Sequence, residues 1–301
     1  MVAFGSSTLA NAILLLHWSW FRPAESPVTP SSGQGLEWPW TPTSLLRTMD
    51  RADLERILME FAGKVALITG AARRLGKAMA CRLAAEGMHV AVHWNTSAQD
   101  AQQTVEECRS HGVNSLAVQG DLSDPACSCS IIEEARQLGP LQVLVNNASR
   151  FVPMGLEQLD CDELEKDHRI HVVSPLLLAR EFARQLPQGE SGRVIQMLDW
   201  RAQIADPQYF TYGLAKAGML HLTRLLAVEL APEITVNAIS PGAILPPAGI
   251  AQQQAGEPLE ASLLGANPTV NKLLDALVFL IGDADHTTGH VFPIDGGRIL
   301  S

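Results

Sequence analysis

From Lys64 onward the chain alternates short apolar runs with segments of helical periodicity, and this alternation leaves few architectures open to it. KVALIT leads through Gly70 into a helical stretch from Leu75 to Glu86, which ends near Gly87. HVAVHW (His89 to Trp94) precedes a polar helix through Ser110, and SLAVQG (Ser115 to Gly120) precedes a helix from about Pro125 to Leu138. LQVLVN is followed by a long helix ending near Leu186, and RVIQML, EITVNAI and HVFPI supply three more strands. Strands separated by helices of about 10–15 residues call for right-handed crossovers, which a parallel sheet accommodates. Strands that are apolar at successive positions imply helices on both faces. The expected fold class is α/β, a doubly wound parallel sheet of about seven strands in a single domain over residues 61–301.

Residues 1–60 read differently. Pro23, Pro27, Pro30, Pro39 and Pro42 oppose regular structure, yet Trp18, Trp20, Trp38 and Trp40 fall in the same stretch. Three readings remain open for this N-terminal extension: a poorly ordered tail, aromatics docked on the domain or a partner, or an upstream start with translation beginning at Met49 or Met59. The apolar stretch from Leu9 to Phe21 is too short to span a bilayer, and no Lys or Arg precedes Arg22. Neither a membrane span nor a secretory signal is therefore expected.

A net charge of -10 argues against a nucleic-acid or anionic-membrane surface, since both need clustered cations. It leaves room for a phosphorylated cofactor held by a few local ones. The five cysteines, Cys81, Cys108, Cys127, Cys129 and Cys161, lack the spacing of a zinc site or a disulfide framework. No metal is expected, and reduced thiols suit a cytoplasmic protein.

The first strand runs into Thr69-Gly70-Ala71-Ala72-Arg73-Arg74-Leu75-Gly76. Gly70 permits a tight turn out of the strand and Gly76 a close helix–sheet approach, so amides at the helix N-terminus can face a pyrophosphate. At the end of the second strand, Asn95, Thr96 and Ser97 stand where a carboxylate would accept from an NAD ribose. All three can donate to a 2′-phosphate instead, and Arg73 is the nearest cation, so NADPH is the expected cofactor.

The turn resembles the TGxxxGxG signature of the short-chain dehydrogenase/reductase family, with a Rossmann-like fold. It departs from that signature at Arg74, which replaces the middle glycine, as in the pteridine reductase and dihydromonapterin reductase branch. The resemblance implies that Asp121 contacts the adenine and that Asn147 steadies the central strand beside the cofactor. Pro241 and Gly242 would turn beside the nicotinamide, with Leu75, Leu122, Ala148 and Ile244 adjoining these positions. Residues Ala243 to Asn267 would form a substrate loop.

Tyr212 and Lys216 are spaced i, i+4, so a helix presents both to one ligand. The ammonium is expected to lower the phenol's pKa, making Tyr212 an acid–base group, while Lys216 binds ribose hydroxyls. The family's catalytic serine falls thirteen residues before the tyrosine, and here that residue is Asp199. The pteridine reductase branch also carries aspartate there, where a carboxylate suits a nitrogen heterocycle. In the same branch Ser149 bonds cofactor or pterin, Phe151 sandwiches the pterin against nicotinamide, and Arg74 bridges substrate and diphosphate. His171 replaces a frequent asparagine, and is read as a buried histidine bonded to the structure.

The expected activity is NADPH-dependent reduction of a dihydropterin, of the dihydrobiopterin, dihydromonapterin or dihydrofolate kind, to the tetrahydropterin. A carbonyl reductase acting on a sugar, steroid or acyl ketone is the first alternative, and a non-catalytic NADP(H)-sensing protein the second. The resemblance also implies a homotetramer or homodimer built on the long helices.

Overall fold

The computed structural model describes residues 61–245 and 262–301. The extension over residues 1–60 and most of the expected substrate loop lie outside the described residues. Strands β1 (Val65–Ile68), β2 (His89–Trp94), β3 (Ser115–Gln119), β4 (Leu141–Asn146), β5 (Gly192–Met197), β6 (Ile234–Pro241) and β7 (Val291–Ile294) form one sheet. Their order is β3-β2-β1-β4-β5-β6-β7, and every pairing is parallel. Parallel neighbours cannot be joined by hairpins, so helices carry the connections. These are α1 (Arg74–Ala85), α2 (Ala98–Arg109), α3 (Ser128–Ala135), α4 (Cys161–His168), α5 (Ser174–Gln185), α6 (Phe210–Glu229) and α7 (Val270–Ile281).

Alternate strand residues feed two separate cores. Ala66, Ile68, Val90, Val143 and Ile195 pack with α1, α2 and α7. Val65, Leu67, Leu144, Val194 and Val236 pack with α3, α5 and α6 on the opposite face. Both faces being covered explains why these strands show no polar alternation. The strand order reverses between β1 and β4, which opens a crevice beyond their C-terminal ends. Among the described residues no helix is long and apolar enough to cross a membrane.

The long helix expected to end near Leu186 is divided. α4 passes into a π-turn over Arg169–Val173 before α5 begins. Pro175, in the first turn of α5, is the cause. Proline has no N–H for the helical ladder, and its ring crowds the carbonyl four residues back, here that of His171. The widened turn places His171 fully inside the protein.

A second histidine ties strand ends together under the crevice. His93, buried on β2, accepts from the Gly70 N–H at Nδ1 (3.1 Å), and its Nε2 faces the Gly120 carbonyl at 3.2 Å. A carbonyl can only accept, so Nε2 carries the proton and the ring is neutral. Burial lowers its pKa from 6.5 to about 4. The unfolded chain therefore takes up this proton first as the pH falls. The stabilisation is complete above the unfolded value and is lost as the pH falls towards the folded one. The loss from this group should approach about 3 kcal/mol near pH 4. Denaturant titrations at neutral pH and near pH 4 should show a smaller pH-dependent loss for His93→Gln than for the wild type; an unchanged difference would contradict the neutral strut.

Candidate active site

The crevice holds a cavity of about 1090 Å³. At its base Gly70 adopts a left-handed φ of 63°, and a side chain there would meet Ala148 backbone. A Cβ on Gly76 would collide with the Gly70 carbonyl oxygen and the Asn147 amide. Asn147 donates from Nδ2 to the Thr69 and Gly70 carbonyls (2.8 and 3.2 Å), which locks the turn to the end of β4. Arg74 also has a left-handed φ, 57°. It thus takes the backbone conformation for which glycine is suited, at a cost of about 1 kcal/mol, and gains a guanidinium at the cavity wall.

The rest of the wall assembles from distant segments. Arg73, Leu75, Asn95, Thr96 and Ser97 line the cavity beside the α1 and α2 N-termini, with Asp121 and Leu122 after β3. The Ser97 side chain makes no capping bond to α2 and remains available to a ligand. Asp121 accepts from the Ser123 N–H and hydroxyl through Oδ1, and these bonds, the backbone one foremost, lower its pKa. Ala148, Ser149 and Phe151 line the cavity after β4, and Pro241, Gly242 and Ile244 after β6. A glycine cradle, a helix N-terminus and hydroxyl and amide donors at the end of β2 together fit a phosphorylated dinucleotide.

Asp199, Tyr212 and Lys216 meet at the other end of the cavity. The Tyr212 hydroxyl donates to Asp199 Oδ2 at 3.1 Å. Lys216 Nζ donates to the Met197 carbonyl at 2.6 Å and lies 5.6 Å from the Tyr212 ring centre. The expected depression of the phenol's pKa is not what this arrangement produces. Burial, followed by the neighbouring Asp199 carboxylate, pushes Tyr212 well above 10, while burial lowers Lys216 to about 8. Desolvation of the phenolate outweighs the ammonium, whose hydrogen bond goes to a carbonyl. In this state Tyr212 is a proton donor rather than a base.

Sequence reasoning passed over Arg201. Asp199 caps the turn Trp200–Ala202, with Oδ1 accepting from the Arg201 N–H at 2.9 Å and the guanidinium at 3.4 Å. Arg201 Nε also donates to Asp206 at 2.7 Å. Its guanidinium lies 4.2 Å from the Trp200 ring, 4.6 Å from Tyr209 and 5.1 Å from Phe151. Phe151 stacks on Tyr209 at 4.2 Å and meets Tyr212 edge-on at 4.9 Å. It therefore stays at the cavity wall, with Tyr209 covering one face. The available signals were Trp200-Arg201 directly after Asp199, and Tyr209 three residues before Tyr212.

Behind Ser149 lies a buried polar group of side chains. His171 Nδ1 is 2.9 Å from the Asp167 carbonyl, and its Nε2 is 3.0 Å from Ser149 Oγ and 3.3 Å from the Arg150 nitrogen. The Asp167 carboxylate accepts from Thr211 at 2.7 Å and from Arg150 at 3.2 Å, and Arg150 also pairs with Glu163. Burial, then the Lys216 charge, hold the His171 pKa well below 6.5.

A family model described as short chain dehydrogenase matches residues 64–256. The uncharacterized oxidoreductase YohF of Escherichia coli (strain K12) is 31% identical over 244 residues, covering 79% of this chain and 96% of the relative. The 3-oxoacyl-(acyl-carrier-protein) reductase FabG of Staphylococcus aureus (strain Mu50) is 31% identical over 245 residues, 79% of this chain and 98% of its own length. Among solved structures, FolM alternative dihydrofolate reductase 1 from Brucella canis, complexed with NADP, superposes with a TM-score of 0.76. It is 31% identical, and the match covers 80% of this chain and 96% of that one.

Because Arg201 compensates two half-buried carboxylates, Arg201→Leu should destabilise the protein by about 2 kcal/mol. Arg201→Lys should recover part of that but lose the planar stacking. Denaturant midpoints for the two variants check this, and a leucine variant as stable as the wild type would contradict it.

Proposed function

The chain belongs to the short-chain dehydrogenase family, and on that premise we propose that it reduces a dihydropterin with NADPH to the tetrahydropterin. The observation that carries the reading is the Tyr212–Asp199 hydrogen bond, 3.1 Å, in a cavity that Phe151 also lines. A carboxylate at this position accepts from ring N–H groups, whereas a plain ketone offers it nothing to bind. The similarity to FolM alternative dihydrofolate reductase 1, solved with NADP, supports both the substrate class and the cofactor.

NADPH, when bound, supplies the hydride, which adds to C6 of the substrate's C6–N5 imine. Gly70, Gly76, Arg73 and Arg74 would hold its diphosphate, Asn95, Thr96 and Ser97 its 2′-phosphate, and Asp121 its adenine. Tyr212 delivers the proton to N5; burial keeps that proton on the phenol until transfer. Lys216 binds the ribose hydroxyls and offsets the phenolate left when that proton departs. Asp199 keeps the phenol aimed into the cavity and accepts from the heterocycle. Phe151 stacks on the pterin, and Arg74 bridges it to the diphosphate. A homodimer or homotetramer contact belongs on α6, whose Leu225 and Val228 are 56% and 82% exposed. A cytoplasmic location completes the proposal.

The FabG match favours a second reading, reduction of an acyl ketone. Initial rates with NADPH on dihydropterins and on simple ketones separate the two. The dihydropterins should give the higher kcat/KM, and a preference for ketones would overturn the proposal. Asp199→Ser should lower kcat/KM for dihydropterins by about tenfold or more, with NADPH affinity, read by fluorescence titration, within about twofold. Equal loss of turnover and cofactor affinity would show that Asp199 serves the cofactor instead.

A further inference from the structure

The hydrogen atoms around His171 can be placed from its partners alone. The atom facing Nδ1 is the Asp167 carbonyl oxygen, 2.9 Å away, which can only accept. Nδ1 therefore carries a proton. The Arg150 backbone N–H points at Nε2 from 3.3 Å, and a backbone amide can only donate. A proton on Nε2 would oppose it, so Nε2 is bare. Both constraints select one neutral tautomer. The charged groups around the ring act in the same direction: Lys216 on α6 and Arg150 after β4 disfavour a second positive charge, and the ring is wholly buried. Asp167 of α4 has its carboxylate taken up by Thr211 and Arg150.

A bare Nε2 has a consequence for Ser149. Its Oγ is 3.0 Å from that nitrogen, so the hydroxyl must donate its only proton there. The remaining lone pairs of Ser149 belong to an oxygen on the cavity wall, within hydrogen-bonding reach of the Tyr212 hydroxyl. Ser149 then cannot donate to a ligand; it can only accept. The same holds for Asp199 Oδ2, which accepts from Tyr212. The reacting end of the cavity thus presents the Ser149 and Asp199 oxygens as acceptors, with the Tyr212 phenol, which rests on Asp199, and the Lys216 ammonium as donors. A ketone oxygen there meets the Tyr212 phenol but finds no second hydroxyl donor at Ser149. A flat heterocycle carrying N–H groups beside its reducible bond satisfies both acceptors and the phenol.

We infer that His171 is a positioning residue that fixes Ser149 as an obligate hydrogen-bond acceptor, so that the site selects substrates presenting N–H donors over plain carbonyls. The inference deepens the proposed function and rests on it for the substrate. The tautomer itself does not depend on any substrate, and nitrogen-detected NMR of the histidine rings in the wild-type protein reads it directly. His171 should be neutral with Nδ1 protonated throughout the ordinary histidine titration range. A ring protonated at Nε2, or one that titrates in that range, overturns the inference whatever the enzyme reduces.

Selectivity is then read from kcat/KM for a dihydropterin and for a vicinal diketone. His171→Leu and Ser149→Ala should each lower dihydropterin kcat/KM by about tenfold, clearly more than they lower that for the diketone. The double variant should be no worse than Ser149→Ala alone, since both changes remove one contact. Losses that multiply in the double variant, or equal losses on both substrates, would reduce His171 to a packing role. Should the wild type reduce no dihydropterin while the NMR result holds, the substrate reading fails and the acceptor assignment stands.

Discussion

The site depends on one carboxylate held between an arginine and a phenol. Asp199 Oδ1 accepts from the Arg201 backbone N–H at 2.9 Å and from its guanidinium at 3.4 Å, and Oδ2 accepts from Tyr212 at 3.1 Å. Each partner fixes the other: Arg201 keeps the carboxylate oriented, and the carboxylate points the phenol along one direction and adds to the burial that keeps it protonated. Arg201 itself is confined by Asp206 on one side and three aromatic rings on the other. The cation is thereby rigid as well as compensated, and its rigidity passes to the reacting groups.

The surrounding fold supplies the position. Reversal of strand order between β1 and β4 opens a crevice, and the glycine turn, Ser149 and Asp199 all project from strand ends into it. Two buried neutral histidines brace its floor and wall in the same manner. His93 joins the Gly70 amide to the Gly120 carbonyl, and His171 joins Ser149 and the Arg150 amide to the Asp167 carbonyl. In each case a ring with one donor and one acceptor bridges a backbone amide to a backbone carbonyl.

Much of this was legible from residue order. Parallel strands buried on both faces read as unbroken apolar runs, and the glycine turn lies between the first run and the first helix, where only one type of connection fits. Tyr212, Lys216 and Asp199 were found from spacing and resemblance. What escaped depended on contacts distant in sequence or on competing energies. An arginine reads as a surface residue until Asp199, Asp206 and Tyr209 are folded around it. The π-turn needed the Pro175 clash to be weighed against an otherwise continuous helical pattern. For Tyr212 the expected sign of the pKa shift was reversed, because i, i+4 spacing reveals a nearby ammonium but not the depth of burial that outweighs it.

The central claim is that a protonated phenol and an oriented carboxylate frame a hydride transfer to a heterocyclic imine. The most direct measurement uses NADPH deuterated at the transferable C4 position with a dihydropterin, following the label in the product by NMR. The account predicts deuterium at C6 of the tetrahydropterin, with N5 protonated from solvent-exchangeable hydrogen. Deuterium that stays on the cofactor, or that appears only in the alcohol formed from a competing ketone, would contradict it.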